Sequence, residues 1–110
     1  PVGLQKRILE LQQESLNWPQ YGSVTEITDP LQYPEFIDAT DPRVNVVCHI
    51  YETHVPSCQT LNEILADVAR TMPYVRFLRV RALALKKDFD LVGLPCLVMY
   101  RGGRLVRNWT

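Results

Sequence analysis

The sequence predicts an α/β domain in which helices flank a mixed five-stranded β-sheet. Residues 46–51 form an almost unbroken apolar run, which is typical of a buried central strand and predicts one over 44–52. A proline-containing turn and an amphipathic helical pattern follow this run, as expected for a β-α unit of a parallel sheet. Gly102-Gly103 is typical of a tight hairpin turn and therefore predicts an antiparallel edge.

The chain of 110 residues is long enough for one domain with a single hydrophobic core. Its sequence contains no apolar stretch of the ~20 residues that a membrane helix needs. The cysteines, Cys48, Cys58 and Cys96, match neither a disulfide framework nor zinc-ligand spacing, which favours a reducing, cytoplasmic setting. Because the chain starts at Pro1 without a signal-peptide core, we expect its ends to be trimming boundaries.

Charge is unevenly distributed along a chain whose formal net charge is zero. Residues 1–75 carry four basic and ten acidic side chains, and residues 76–110 carry eight basic and two acidic ones. The halves therefore have net charges of −6 and +6. Such a bipolar surface favours a charged protein partner, although two ordinary solvated faces would give the same count.

The first half of the chain predicts two helices and one strand ahead of the central strand. Residues 4–16 have an amphipathic helical pattern, and Pro19 ends it. Residues 22–28 have a short strand pattern. Asp29-Pro30 starts a second helix over 30–39, for which Leu31, Phe36 and Ile37 are the predicted buried side chains.

The second half predicts the remaining elements of the sheet. A helix with apolar residues at spacings of three and four covers 57–72, and a strand covers 75–82. Residues 83–92 are ambiguous between one helical turn and two. The strands at 97–100 and 104–109 form the terminal hairpin.

This order of elements is the thioredoxin-like plan without the helix that should follow the last strand. We therefore predict an N-terminal helix and linker over residues 1–20 and a thioredoxin-like domain, incomplete at its C-terminus, over 21–110. In such folds a cis proline faces the turn after the central strand, so we expect the Leu94–Pro95 bond to be cis.

The turn after the central strand decides the redox question. A dithiol motif needs two thiols separated by two residues at the helix start, where the helix dipole lowers the pKa of the attacking thiol. If Cys58 is the second thiol, the first position is Val55, which cannot attack a disulfide. Cys58 lies on the apolar stripe of the helix, so we interpret it as a core thiol.

The remaining candidate chemistry is sparse. We interpret His49, inside the apolar strand, as a hydrogen-bonded core residue, and His54 as a surface loop residue. The sequence has no carboxylate pair, phosphate-binding glycine loop or metal-ligand cluster. The basic stretch 76–87 lacks the aromatic interleaving of a nucleic-acid surface. We therefore expect no enzyme activity, no cofactor and no nucleic acid partner.

Three stretches of the chain resemble the phosducin and phosducin-like proteins. They are VCHIYETHVPSCQTLN, PYVRFLRVRA and GLPCLVMYRGGRLVRNW, and YGSVTEIT resembles the family's lead-in. The turn signature comprises Val55, Pro56, Ser57 and Cys58. The resemblance covers nearly the whole chain and implies a vestigial active-site turn.

The resemblance also implies a regulatory or co-chaperone function. Phosducin-like proteins bind the βγ dimer of heterotrimeric G proteins and assist the cytosolic chaperonin in folding the β subunit and other clients. We take the N-terminal helix and the arginine-rich surface of 76–107 as candidate contacts, with the residues Leu4, Ile8, Leu11, Arg76, Arg79, Arg81, Arg101 and Arg104. The alternatives are a redox protein that uses Cys58, with or without Cys96, and a thioredoxin-like assembly scaffold.

Overall fold

The computed structural model describes residues 2–16 and 18–109, with the side chains of all of these except 11–16. Its elements are α1 (Val2–Leu16), β1 (Val24–Ile27), α2 (Gln32–Ala39), β2 (Val46–Tyr51), α3 (Pro56–Thr71), β3 (Arg76–Arg81), α4 (Ala82–Leu85), a 3₁₀ turn (Leu91–Gly93), β4 (Cys96–Arg101) and β5 (Arg104–Trp109).

The strands form one five-stranded sheet in the order β1-β3-β2-β4-β5. The strands β1, β3 and β2 are parallel, whereas β4 runs antiparallel to both β2 and β5. The parallel pairs follow from the helical crossovers, and the antiparallel edge follows from the Gly102-Gly103 turn, where both glycines have positive φ. The predicted mixed sheet with flanking helices is confirmed.

The alternation of side chains along β2 and β3 divides the core between the two faces of the sheet. One face buries residues such as Cys48, Leu78 and Val98, and it is covered by side chains of α2, α4 and the segment after α4. The other face packs Phe77 against Leu65 and Ala69 of α3. The central strand β2 is buried along almost its whole length because elements cover both of its faces.

The predicted start of the second helix is wrong. Leu31 is 72% exposed rather than buried, because α2 begins at Gln32 instead of residue 30 and Leu31 precedes its first turn. Instead, Asp29 organises the approach to α2 by accepting a hydrogen bond from the backbone N–H of Leu31 at 3.0 Å. The segment 83–92, ambiguous in sequence between one helical turn and two, contains the end of α4, a turn and the 3₁₀ turn.

Helix α1 presents its described side chains to solvent. Leu4 is 59% exposed and Ile8 is 47% exposed, although both belong to the predicted apolar stripe. Within residues 2–10, every side chain except that of Glu10 is exposed. Among the residues described, no helix has the length and apolar composition required to cross a membrane.

Candidate functional site

The turn between β2 and α3 is a well-formed helix start. Val55 is the N-cap residue in extended conformation, and Pro56 occupies the first turn, where a missing backbone N–H costs nothing. The Val55 carbonyl accepts hydrogen bonds from the backbone N–H groups of Cys58 at 3.0 Å and Gln59 at 3.2 Å. Pro56 and Ser57 are exposed. The signature residues therefore shape a turn without placing a nucleophile at its tip.

Cys58 lies inside the protein rather than at the turn surface. Its exposed fraction is 0%, and it is one of the buried residues of α3. A thiol exchanges with a protein disulfide only when the partner's sulfur can reach it in line. The Cys58 thiol of the folded domain is therefore inaccessible to a protein disulfide.

The other two cysteines are equally unsuited to exchange. Cys48, Cys58 and Cys96 are free and buried. Burial, together with the charges of Cys96 and Glu26, raises the pKa of Cys48 to about 12 despite an opposing hydrogen bond with Tyr33. Burial also raises the pKa of the Cys96 thiol. Both thiols are therefore almost wholly protonated at neutral pH.

Pro95 follows a cis peptide bond with Leu94. It precedes Cys96, the first residue of β4, which pairs with Ile50 of the central strand. The Cys96 thiol contacts Asn108 Oδ1 of β5 at 3.6 Å. Cys96 is therefore a structural residue at the start of the terminal hairpin.

His49 is a buried core residue. Its exposed fraction is 0%, its Nδ1 lies 2.8 Å from Asn62 Oδ1 of α3, and its ring stacks on that of Tyr51 at 5.4 Å. Burial lowers the pKa of His49, so the ring is neutral. Because Asn62 presents an oxygen, the proton lies on Nδ1. His54 is exposed in the turn.

Glu52 is a buried acidic residue that sequence reasoning missed. Its exposed fraction is 0%, and Oε1 accepts hydrogen bonds from Nε and Nη2 of Arg81 at 3.0 and 2.8 Å. Its Oε2 accepts one from the backbone N–H of Leu83 at 3.0 Å. Burial alone would raise the pKa of Glu52, but the bonds from Leu83 and Arg81 outweigh it and lower the pKa.

The Glu52 contacts join the end of the central strand to α4. The sequence signal for these contacts is an acidic residue at the end of the apolar run. Its partner is identified by the strand register, in which Tyr51 pairs with Arg81. That register is a tertiary property, so the signal becomes readable only when β2 and β3 are known to be neighbours. Arg81, a candidate contact residue, is therefore committed to an internal ion pair, with 52% of its side chain exposed.

The other two arginines of β3 are also engaged within the domain. The Arg76 guanidinium lies 5.2 Å from the ring centre of Tyr21 and 4.8 Å from that of Phe36, and its Nη1 donates to Thr40 Oγ1 at 2.9 Å. Arg79 Nε lies 3.2 Å from Glu26 Oε1. Arg79 is half-buried on an inner strand, and the Glu26 carboxylate compensates its charge there.

The arginines of the terminal hairpin have a different environment. Arg101, Arg104 and Arg107 are exposed, as is every residue of β5. Within the described part of the chain, no carboxylate forms an ion pair with any of the three. The structure thus separates the candidate arginines into an internally paired set on β3 and a solvent-facing set on the hairpin.

The candidate contact residues of α1 are apolar and precede both arginine sets in sequence. The exposed side chains of Leu4 and Ile8 leave an apolar stripe on α1 uncovered by the described residues. The side chain of Leu11 lies outside the described residues. Among those described, no group of three or more His, Cys, Asp or Glu side chains is arranged to hold a metal ion.

Sequence comparisons find relatives along almost the whole chain. The family model described as Phosducin matches residues 4–110. The human phosducin-like protein is 28% identical over 106 residues, which is 94% of this chain and 35% of the relative. Human phosducin is 34% identical over 93 residues, which is 83% of this chain and 38% of the relative. The chain thus spans about a third of the length of these curated relatives.

Structural comparisons find thioredoxins. The short form of spinach chloroplast thioredoxin f superposes with a TM-score of 0.70 at 18% identity, with 82% of each chain covered. Trypanosoma brucei brucei thioredoxin gives a TM-score of 0.65 at 18% identity, covering 83% of this chain and 80% of that one. At this identity the likeness establishes the thioredoxin-like fold alone. The family-model match over residues 4–110 shows that the chain belongs to the phosducin family.

Proposed function

We propose that the chain is a non-catalytic protein-binding module of a regulator or co-chaperone. Its partners are the βγ dimer of heterotrimeric G proteins and the cytosolic chaperonin, which it assists in folding β-propeller or related clients in the cytoplasm. Residues 1–20 supply a helix and linker, and residues 21–110 supply a thioredoxin-like docking domain. Membership of the phosducin family is the observation that carries the proposal.

The turn at the start of α3 supports the non-catalytic part of this proposal. Val55 occupies the position of the attacking thiol, and the thiol of Cys58 is fully buried. Neither residue offers the accessible thiolate that disulfide exchange needs. The turn is then a structural junction of the docking domain.

The apolar stripe of α1 supports the binding part. An amphipathic helix that exposes its apolar side chains is suited to a hydrophobic groove on a partner. Leu4 and Ile8 are the described members of this stripe, and both are more than 45% exposed. The hairpin residues Arg101 and Arg104 supply a second, charged contact.

The test is direct binding of purified G-protein βγ dimer to the immobilised chain, with the chaperonin measured in parallel. We expect wild-type chain to bind, and Leu4→Ser with Ile8→Ser to weaken βγ binding about thirtyfold, since two buried interface anchors of about 1 kcal/mol each together contribute about 2 kcal/mol. The matched control is Leu31→Ser with Val92→Ser, which removes two side chains of 72% and 92% exposure outside α1. Absence of binding to both partners contradicts the proposal.

A redox protein acting through Cys58 is the alternative that the thioredoxin-like fold suggests. Insulin reduction in the presence of thioredoxin reductase separates it from a binding module. We expect no turnover above background for wild type and Cys58→Ser alike, because the thiol is buried. Turnover that Cys58→Ser abolishes would replace the binding proposal with the redox one.

A thioredoxin-like scaffold of some other assembly is the third possibility. Affinity capture from a eukaryotic lysate, followed by mass spectrometry, addresses it. We expect the chaperonin and the G-protein β subunit among the captured proteins. A different assembly captured in their absence would favour the scaffold.

A further inference from the structure

The outer edge of β5 is an exposed strand edge of the domain. Among the described strands, β5 pairs only with β4 and is the last strand of the sheet. All of its residues are exposed, including Leu105 at 54%, Val106 at 41% and Trp109 at 47%. A strand edge with free backbone groups and exposed apolar side chains can accept a further strand from another chain.

The opposite edge of the sheet differs in both length and charge. Strand β1 has four residues, whereas β5 has six. The acidic side chain of β1, Glu26, accepts a hydrogen bond from the Tyr51 hydroxyl at 2.5 Å and lies 3.2 Å from Arg79 Nε. Its charge is thus compensated inside the domain. Strand β5 is therefore the edge with both the length and the uncompensated charge to select a partner.

The register of the hairpin gathers the basic side chains on one face. Arg104 pairs with Arg101, Arg107 pairs with Met99, and Trp109 pairs with Leu97. Paired residues share a face, and the register shift between Met99 and Tyr100 brings Arg104 to the face of Arg107. These arginines and Trp109 therefore lie on the same side of the hairpin as Leu97. Leu97 itself packs toward the α3 cluster. This face therefore combines positive charge with an exposed aromatic side chain.

The charge of the hairpin argues for an acidic occupant. Residues 91–109 contain three arginines and no acidic residue. A second copy of the same edge would bring six arginines together, which like-charge repulsion opposes. Acidic side chains on an added strand would instead meet Arg104 and Arg107 across the new strand pair.

We propose that β5 binds an extended, acidic segment of a partner protein by strand addition. The backbone of this segment pairs with the outer edge of β5, its acidic side chains lie on the face of Arg104 and Arg107, and its apolar side chains lie on the opposite face, against Leu105. The proposal rests on the geometry of the hairpin and does not depend on the partners named under the proposed function.

The test uses a twelve-residue peptide that alternates glutamate with valine, and a counterpart that alternates lysine with valine. Affinity is measured by fluorescence anisotropy at low salt, and amide hydrogen exchange locates the site. We expect the glutamate peptide to bind and to slow exchange within residues 104–109, because an added strand protects edge amides. We expect the lysine peptide to bind at least tenfold more weakly.

Charge reversal gives the decisive arm of the experiment. Arg104→Glu with Arg107→Glu should lower the affinity for the glutamate peptide at least tenfold and raise the affinity for the lysine peptide. The matched control, Lys86→Glu with Lys87→Glu, changes the net charge equally at exposed positions outside the hairpin and should leave both affinities unchanged. Arg104→Gln with Arg107→Gln should give an intermediate loss.

Three results would overturn strand addition at β5. The first is protection at β1 or α1 instead of residues 104–109. The second is equal loss of peptide affinity in the hairpin and lysine control variants, which would indicate nonspecific charge attraction. The third is arginine-dependent binding of phosphatidylserine vesicles without peptide protection of β5, which would identify the face as a lipid contact.

Discussion

The arginines of β3 and those of the terminal hairpin make a natural comparison. Each set contains three arginines, yet the β3 side chains face Glu52, Glu26 and aromatic rings, whereas the hairpin side chains face solvent. Strand β3 lies between two other strands, so a cation there must be compensated. At the sheet edge, water solvates the arginine side chains, so they need no internal counter-ion.

The basic half of the chain is not one uniform charged surface. A count of residues 76–110 treats all of its cations as one surface. In the fold, the β3 arginines stabilise the domain, and the hairpin arginines are available to a partner. Substitutions of the β3 arginines should therefore lower the free energy of unfolding, whereas substitutions of the hairpin arginines should lower the affinity for a partner.

The largest expected effect follows from removing Glu52. Glu52→Ala leaves Arg81 and the Leu83 backbone N–H without their shared acceptor and opens space at a fully buried position. We expect the free energy of unfolding to fall by about 3 kcal/mol. Urea unfolding followed by circular dichroism measures it. A loss below about 1 kcal/mol would show that the Glu52 contacts do not anchor α4.

The same site predicts a pH dependence. Because the pKa of Glu52 is lowered in the folded state, its stabilising contribution is present above the unfolded-state value of about 4.3 and is lost as pH falls through the folded-state pKa. The stability difference between wild type and Glu52→Gln should therefore be constant from pH 7 to about pH 5 and shrink below it. The other carboxyl groups titrate equally in both proteins, so their contributions cancel in the difference between the two unfolding free energies. A difference that grows toward acid would contradict this sign.

An intermediate effect is expected at Arg76. Arg76→Ala removes two cation–π contacts and the hydrogen bond to Thr40 Oγ1. We expect a loss of about 1–2 kcal/mol in the free energy of unfolding. Arg76→Lys keeps the charge without the planar guanidinium and should recover only part of the loss. Full recovery would mean that charge alone matters at this position.

The smallest effect on stability is expected in the hairpin. Arg101→Ala and Arg104→Ala should each change the free energy of unfolding by less than about 0.5 kcal/mol, because both side chains are exposed and form no ion pair with a described residue. The same unfolding assay as for Arg76 provides the measurement. A loss comparable with that of Arg76→Ala would erase the distinction between the two sets.

Much of the fold is predictable because its signals are local. The apolar run of the central strand, the spacing of apolar residues in α3 and the Gly102-Gly103 turn each place an element within a few residues of its observed bounds. Leu31 shows the limit of such signals. An apolar residue at a helix start can point to solvent, and only the packing of α2 on the sheet decides which side is buried.

The candidate site divides in the same way. Position counting alone assigns Val55 to the place of the missing thiol, since the spacing between two residues of one turn is a covalent property of the chain. Counting positions cannot reveal the role of Glu52, because its partners Arg81 and Leu83 lie about 30 residues away in sequence. They meet it only when β3 pairs with β2.

Residue types and local spacing suffice to predict the kind of elements, the family signature and the absence of a dithiol in the turn. Which arginines form internal pairs and which face solvent depends on how the strands are assembled. Charge compensation depends on neighbours across strands, and the strand order places β3 beside Glu26 and Glu52 but leaves the hairpin at the edge.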